Sequence, residues 1–168
     1  ISDSHDSYRD PTLLLEEIRN NKKISISFFG NINIQKAWLD KIGHRLRISG
    51  SLSHRDAIDF MSQYDILLVI HTEIFGGAEV LTGKLFDYLM TFKPILVIGP
   101  QNMEAGSFVV RNGFGYFANC NNRVEIRQTL DRIYSDWISN RLPHYTLEDI
   151  KCYSRQYQYK KFIDLIER

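Results

Sequence analysis

Two unbroken apolar runs, Ile66–Ile70 (ILLVI) and Pro94–Ile98 (PILVI), constrain this chain more than any other feature. A strand with one wet face alternates apolar and polar residues. A five-residue run without a polar break fits a strand covered on both faces, as in a parallel sheet sandwiched between helices. Parallel neighbours need a crossover of about a dozen residues or more. Residues 71–93 between the two runs are long enough to supply one, and Gly83 to Thr91 reads as its helix.

The rest of the chain repeats that alternation. Asp10-Pro11 reads as an N-cap followed by a first helical residue, opening a helix to Asn20 with Leu14, Leu15 and Ile18 inward. Ile24 to Phe29 is a strand closed by Gly30-Asn31, Gln35 to Ile42 a short helix ended by Gly43, and Arg45 to Ser49 a second strand. Ser53 with Asp56 three residues on is a variant capping box, and Ala57, Ile58, Met61 and Tyr64 form the expected inward stripe. Glu104 to Asn112 is helical, Gly115 to Ala118 a weak strand, and Val124 to Ile138 a helix with Ile126, Leu130, Ile133, Tyr134 and Trp137 in period. A last helix runs from about Leu147 to Ile166, with Tyr153, Tyr157, Phe162 and Leu165. This pattern predicts an α/β, Rossmann-like, three-layer αβα domain with a parallel sheet of about five to six strands.

Length and composition narrow the classes. With 168 residues and 43% apolar content, a single domain over residues 1–168 can bury a substantial core, with 146–168 as a helical tail. The tail's tyrosines suit packing on another domain or on this domain's own sheet. Twenty-one basic against twenty acidic side chains provide no overall field for nucleic acid. Cys120 and Cys152 lack metal or redox spacing, which favours a reducing, cytoplasmic setting. No apolar run of about eighteen residues occurs, so a transmembrane segment is not expected, and peripheral membrane association stays open. A first residue other than Met suggests a piece of something longer.

The candidate site lies between the two apolar runs. Loops at the carboxyl ends of parallel strands are where such sheets bind ligands, and a helix start after a glycine-bearing loop offers free N–H groups to phosphate. Glu79 and Asp87 flank Thr82-Gly83-Lys84 with seven residues between the acids. If Thr82 or Gly83 caps the helix, Asp87 lies one turn in, on the face of Gly83 and Lys84. A carboxylate there can accept two ribose hydroxyls while Lys84 meets phosphate charge; the helix dipole adds only about 0.3–1 kcal/mol. The competing reading is a solvated Lys84–Asp87 pair at i,i+3, worth about 0.2–0.5 kcal/mol. Gly76-Gly77 could equally be a plain turn, and Glu73 competes with Glu79 for the outer acidic role. Of His44, His54 and His71, none at metal spacing, only His71 stands beside the loop.

The segment GKLFDYLMTFKPILVIG resembles the most recognisable part of GT-B glycosyltransferases of the large retaining group called family 4. Their pattern is Glu, seven residues, Glu, then a tyrosine and a Gly/Lys-Pro-hydrophobic strand. RDPTLLLEEI, ISISFFGN, ISGSLSHRDAIDFMSQYDILLVI and the Gly113-Phe114-Gly115 turn support it in the same order. The resemblance covers nearly the whole chain and maps onto the C-terminal, donor-nucleotide half, one half of a GT-B fold; the N-terminal acceptor half would lie outside it. It implies transfer of a sugar from a nucleoside-diphosphate sugar to a saccharide acceptor, in surface or exported polysaccharide synthesis, without metal or other cofactor. Asp87 would take the ribose-binding position, with Asp where the family has Glu, and Glu79 (alternatively Glu73) the catalytic position by the donor sugar. Gly76, Gly77, Thr82, Gly83 and Lys84 would lie by the diphosphate, and Ser51 and Leu52 would border the base. The basic pair that neutralises the leaving diphosphate falls to Lys36, Arg9 or a residue outside the chain. By resemblance the full protein acts in the cytoplasm or at the inner face of the membrane, and this piece alone transfers nothing. Two other readings remain: a sugar-nucleotide epimerase of the same architecture, and a non-catalytic nucleotide-binding module.

Overall fold

A computed structural model describes residues 10–30, 34–72 and 83–153. Along them run α1 (Thr12–Asn20), β1 (Ile26–Phe29), α2 (Ala37–Ile42), β2 (Leu46–Ser49), α3 (His54–Met61) and β3 (Leu67–Ile70). Then follow α4 (Gly83–Leu89), β4 (Ile95–Gly99), α5 (Glu104–Arg111), β5 (Gly115–Asn119), α6 (Arg123–Ile138) and α7 (Leu147–Ile150). All strand pairings are parallel, and helices cover both faces of the strands, which is the Rossmann-like α/β arrangement. No described helix is long and apolar enough to cross a membrane.

The alternation of β4 divides the core. Leu96 and Ile98 point into a cluster with Leu14, Leu15 and Ile18 of α1, Trp38 and Ile42 of α2, and Ile126, Leu130 and Ile133 of α6. Ile95 and Val97 point the other way, onto Leu85 and Leu89 of α4 and Phe108 and Val109 of α5. Every residue of β4 is buried, as its apolar run requires. β3 falls short of that expectation, with Leu67 and Val69 buried and Leu68 and Ile70 only half-buried.

The sheet departs from the single ladder predicted. β1 pairs with β2, and β3-β4-β5 form a separate set, so the five described strands make two hydrogen-bonded groups rather than one. No backbone hydrogen bond joins 24–30 to 66–72. A shared apolar cluster holds the groups together: Leu46 of β2, Leu96 of β4 and Tyr116 of β5 belong to one core.

Several boundaries and faces also differ from expectation. α1 begins at Thr12, one residue later than predicted, and the Asp10 carboxylate still accepts its first amide at 2.9 Å. Ser53 caps α3 as expected, accepting the Asp56 amide at 3.2 Å. Ile58, however, is 38% exposed. The contacts seen with β1 are aromatic instead, Phe60 of α3 and Tyr64 just beyond it meeting the Phe29 ring at 5.4 and 6.1 Å. On α6 the inward stripe ends before Trp137, which is half exposed and stacks on Tyr134.

Within the described residues the predicted last helix is α-helical over α7, opened by a reciprocal Thr146–Asp149 capping box, and tightens to a 3₁₀ turn at Lys151–Tyr153. The remainder of that prediction, with Tyr157, Phe162 and Leu165, lies outside the described residues. The described tail packs on this domain. Tyr145 donates to the Lys93 carbonyl at 2.7 Å, Tyr153 donates to Asn112 at 3.1 Å, and both rings meet Phe114.

Candidate functional site

The faces occupied by the helices decide where a ligand crevice can form. α2, between β1 and β2, lies on the first face, while α4 and α5, between β3, β4 and β5, lie on the second. Right-handed crossovers on opposite faces advance in opposite directions. The strand order therefore runs outward from β1 to β2 on one side and from β3 through β4 to β5 on the other. Open α/β sheets bind ligands at the carboxyl ends of strands where this direction reverses. Here that place lies between the ends of β1 and β3, marked by Gly30 and His71.

Gly30 has φ +106°, a conformation open to glycine and strained for other residues, and its N–H reaches the Ser49 carbonyl at 3.1 Å. This turns the chain away at the end of β1. His71 is half-buried and its N–H donates to the Ile98 carbonyl at 2.8 Å, extending the β3–β4 ladder to the rim.

Five expected site residues, Ser51, Leu52, Gly83, Lys84 and Asp87, fall at this carboxyl edge or just beyond it. Ser51 is exposed and Leu52 half-buried in the exit loop of β2. Lys84 and Asp87 are exposed on α4, whose opposite side buries Leu85 and Leu89. Helical spacing puts residues 83, 84 and 87 on that outer face, as the sequence predicts. Gly83 opens α4. Two strand positions, β1 and β3, separate the Ser51–Leu52 loop from α4, so the groups bracket the reversal point without adjoining. Lys36, a candidate for the diphosphate, is exposed at the start of α2, also at this edge. Glu73, Gly76, Gly77, Glu79, Thr82 and Arg9 lie outside the described residues.

A second polar group, which sequence reasoning did not single out, sits at the other end of the sheet. Asp136 on α6 accepts the Tyr116 hydroxyl at 2.9 Å and is flanked by Arg132 at 3.7 Å and Arg141 at 3.9 Å. These residues line a cavity of about 460 Å³ with Val110, Phe117 and Pro143. Burial, then the bond to Asp136, pushes the Tyr116 hydroxyl pKa well up. No expected site residue lines this cavity. Asp136 already has three partners there, so the group reads as a fastening between β5 and α6. The i,i+4 pair Arg132–Asp136 is visible in the sequence, but nothing local announces that Tyr116 comes over from β5.

Among the described residues, no cluster of three or more His, Cys, Asp or Glu side chains could hold a metal; Cys120 is buried and Cys152 half-buried. No family model matches the chain, and no curated protein matches it.

Proposed function

We propose that this chain is the donor nucleotide-sugar-binding domain of a glycosyltransferase that passes a sugar from a nucleoside-diphosphate sugar to a saccharide acceptor. The observation that carries the reading is the outward polar face of α4. Lys84 and Asp87 are exposed there, at the element that follows the strand-order reversal, within the segment GKLFDYLMTFKPILVIG. Asp87 accepts the two ribose hydroxyls, and Lys84 lies against the diphosphate. Ser51 and Leu52 border the base. Glu79, or Glu73, faces the donor sugar. In the reaction the bond between the anomeric carbon and the diphosphate oxygen breaks, and the acceptor hydroxyl oxygen forms the new bond as it gives up its proton. Positive groups stabilise the departing diphosphate. The acceptor binds on a domain outside this chain, and the role in polysaccharide synthesis belongs to the assembled enzyme.

Titration of the isotopically labelled protein with UDP and with GDP tests this. Amide shifts are expected at residues 83–87 and 49–52. Asp87→Ala should weaken binding about tenfold, equivalent to about 1.4 kcal/mol. Absence of any perturbation with every common nucleoside diphosphate at millimolar concentration would sink the reading.

A further inference from the structure

β5 is the outermost strand of its set, paired with β4 on one side and with no other strand among the described residues. At the two ends of its ladder the Ile95 N–H donates to the Phe114 carbonyl and the Cys120 N–H donates to the Gly99 carbonyl. Alternation therefore turns the even-numbered residues of β5 toward β4 and the backbone groups of Phe117 and Asn119 toward the outer edge. Side chains of α6 reach over part of that edge. The Asn119 N–H donates to Glu125 at 3.0 Å, and the Thr129 hydroxyl donates to the Phe117 carbonyl at 3.4 Å. The Phe117 N–H points the same way and meets no acceptor among the described residues. Beside it lies the cavity of about 460 Å³, lined by Gly115, Tyr116 and Phe117 of β5, by Val110 of α5 and by Arg132 and Asp136 of α6. It is a groove along the free edge of the sheet, with one helix on either side.

We infer that this groove takes a short extended peptide of alternating acidic and apolar side chains, laid as an added strand along β5. The charge on the α6 side selects the acid. Arg132 and Arg141 are 74% and 66% exposed, while Asp136 between them is 20% exposed. Both guanidiniums stand 3.7 and 3.9 Å from that carboxylate, beyond hydrogen-bond distance, so their N–H donors stay available. Two cations face one anion, and that anion already accepts the Tyr116 hydroxyl. A positive excess is left at the mouth, and carboxylates bonded to guanidinium groups form the stronger class of hydrogen bond.

The α5 side selects the apolar partner. Val110 is exposed there, and the Phe117 ring lies against Gly106 of the same helix. Adjacent residues of a strand point to opposite faces. A strand on this edge thus sets one series of side chains by the arginines and the alternate series on Val110 and Phe117. Unpaired strand edges are templates for such pairing. In strand addition the main chain supplies affinity and the alternate side chains supply specificity. The Glu125 and Thr129 contacts close the edge toward Asn119, which keeps the added strand short. The nucleotide reading does not enter this inference, and its failure would leave the groove as it is.

Titration of the labelled chain with an acetylated, amidated peptide VEVEV tests the inference. Expected are shifts of the Phe117 amide, the Val110 methyls and the Arg132 and Arg141 Nε–H signals, with NOEs from the peptide to Phe117 and Val110. Arg132→Gln combined with Arg141→Gln, at exposed positions, should weaken binding about tenfold. The peptide VKVKV should bind at least about tenfold more weakly than VEVEV. Two further forms of VEVEV, N-methylated at the valines or at the glutamates, separate strand addition from side-chain attraction. In an added strand only one set of N–H groups faces β5, so one form should lose binding and the other keep it. No shift at millimolar VEVEV, equal binding of VKVKV, or equal behaviour of the two methylated forms overturns the inference. NOEs in the peptide-free sample that seat another part of this chain, or a second copy, along the Phe117 edge overturn it too.

Discussion

β4 and β1 are both apolar strands, yet they finish in different environments. Ile95–Gly99 is buried throughout, and Ile26–Phe29 is half-buried throughout. β4 has a partner on each edge and helices on each face, whereas among the described residues β1 has a partner on one edge only. Apolar composition qualifies a strand for the interior; neighbours on all four sides put it there.

The largest effect that would break the contrast comes from the pairing of β4 with β5. A Cβ at Gly115 would sit 1.8 Å from the Ile95 carbonyl oxygen, so the strands must part to admit it. Gly115→Ala should cost about 4 kcal/mol in urea unfolding, at the severe end of single substitutions. Truncation compares the two strands directly. Ile95→Ala at a fully buried site should cost about 2–5 kcal/mol. Ile26→Ala, half-buried, should cost about 1 kcal/mol in this chain.

Alkaline pH should loosen the β4 side of the molecule next. Burial raises the Tyr145 hydroxyl pKa well above its ordinary value of 10.0. The unfolded chain therefore ionises first, and the contribution is intact below about pH 10 and is lost as pH rises beyond it. The melting temperature should fall above pH 10, and Tyr145→Phe should remove part of that fall. The same change should cost about 1 kcal/mol near neutrality, through loss of the bond to the Lys93 carbonyl.

The smallest effect is on α7. The Thr146 backbone amide, then its hydroxyl, holds the Asp149 carboxyl below its ordinary value of 3.8. This cap contributes fully above that pH and weakens as pH falls through the folded value. An NMR titration should show the Thr146 amide shift following Asp149 in acid, and Asp149→Asn should flatten the curve without changing the β4 amides.

What could be read in advance depended on the range of the signal. The apolar run 95–98 and the caps at Asp10 and Ser53 act within a few residues, and the structure carries them as predicted or nearly so. Ile58 and Trp137 have the right period for burial, yet they are 38% and 51% exposed. Periodicity says which residues share a face and not how far the opposing surface extends. The break between β1 and β3 is a relation among distant elements, so no local pattern marked it. Of the expected site, Ser51, Leu52, Gly83, Lys84 and Asp87 are placed at or just beyond the carboxyl edge because strand ends and helix starts are local features. Their chemical roles depend on what they touch, which spacing alone does not specify.

Arg45 holds the corner where the first three elements meet. One guanidinium nitrogen donates to the carbonyls of Ile18, Asn21 and Ile24 at 2.8, 3.0 and 2.9 Å. The end of α1, the turn after it and the approach to β1 thus depend on a single side chain entering from the 3₁₀ turn Gly43–Arg45 just before β2. Release of the guanidinium frees all three carbonyls together, which couples their opening. In native-state hydrogen exchange, α1, β1 and β2 should therefore open as one cooperative unit, a single step between the closed molecule and global unfolding.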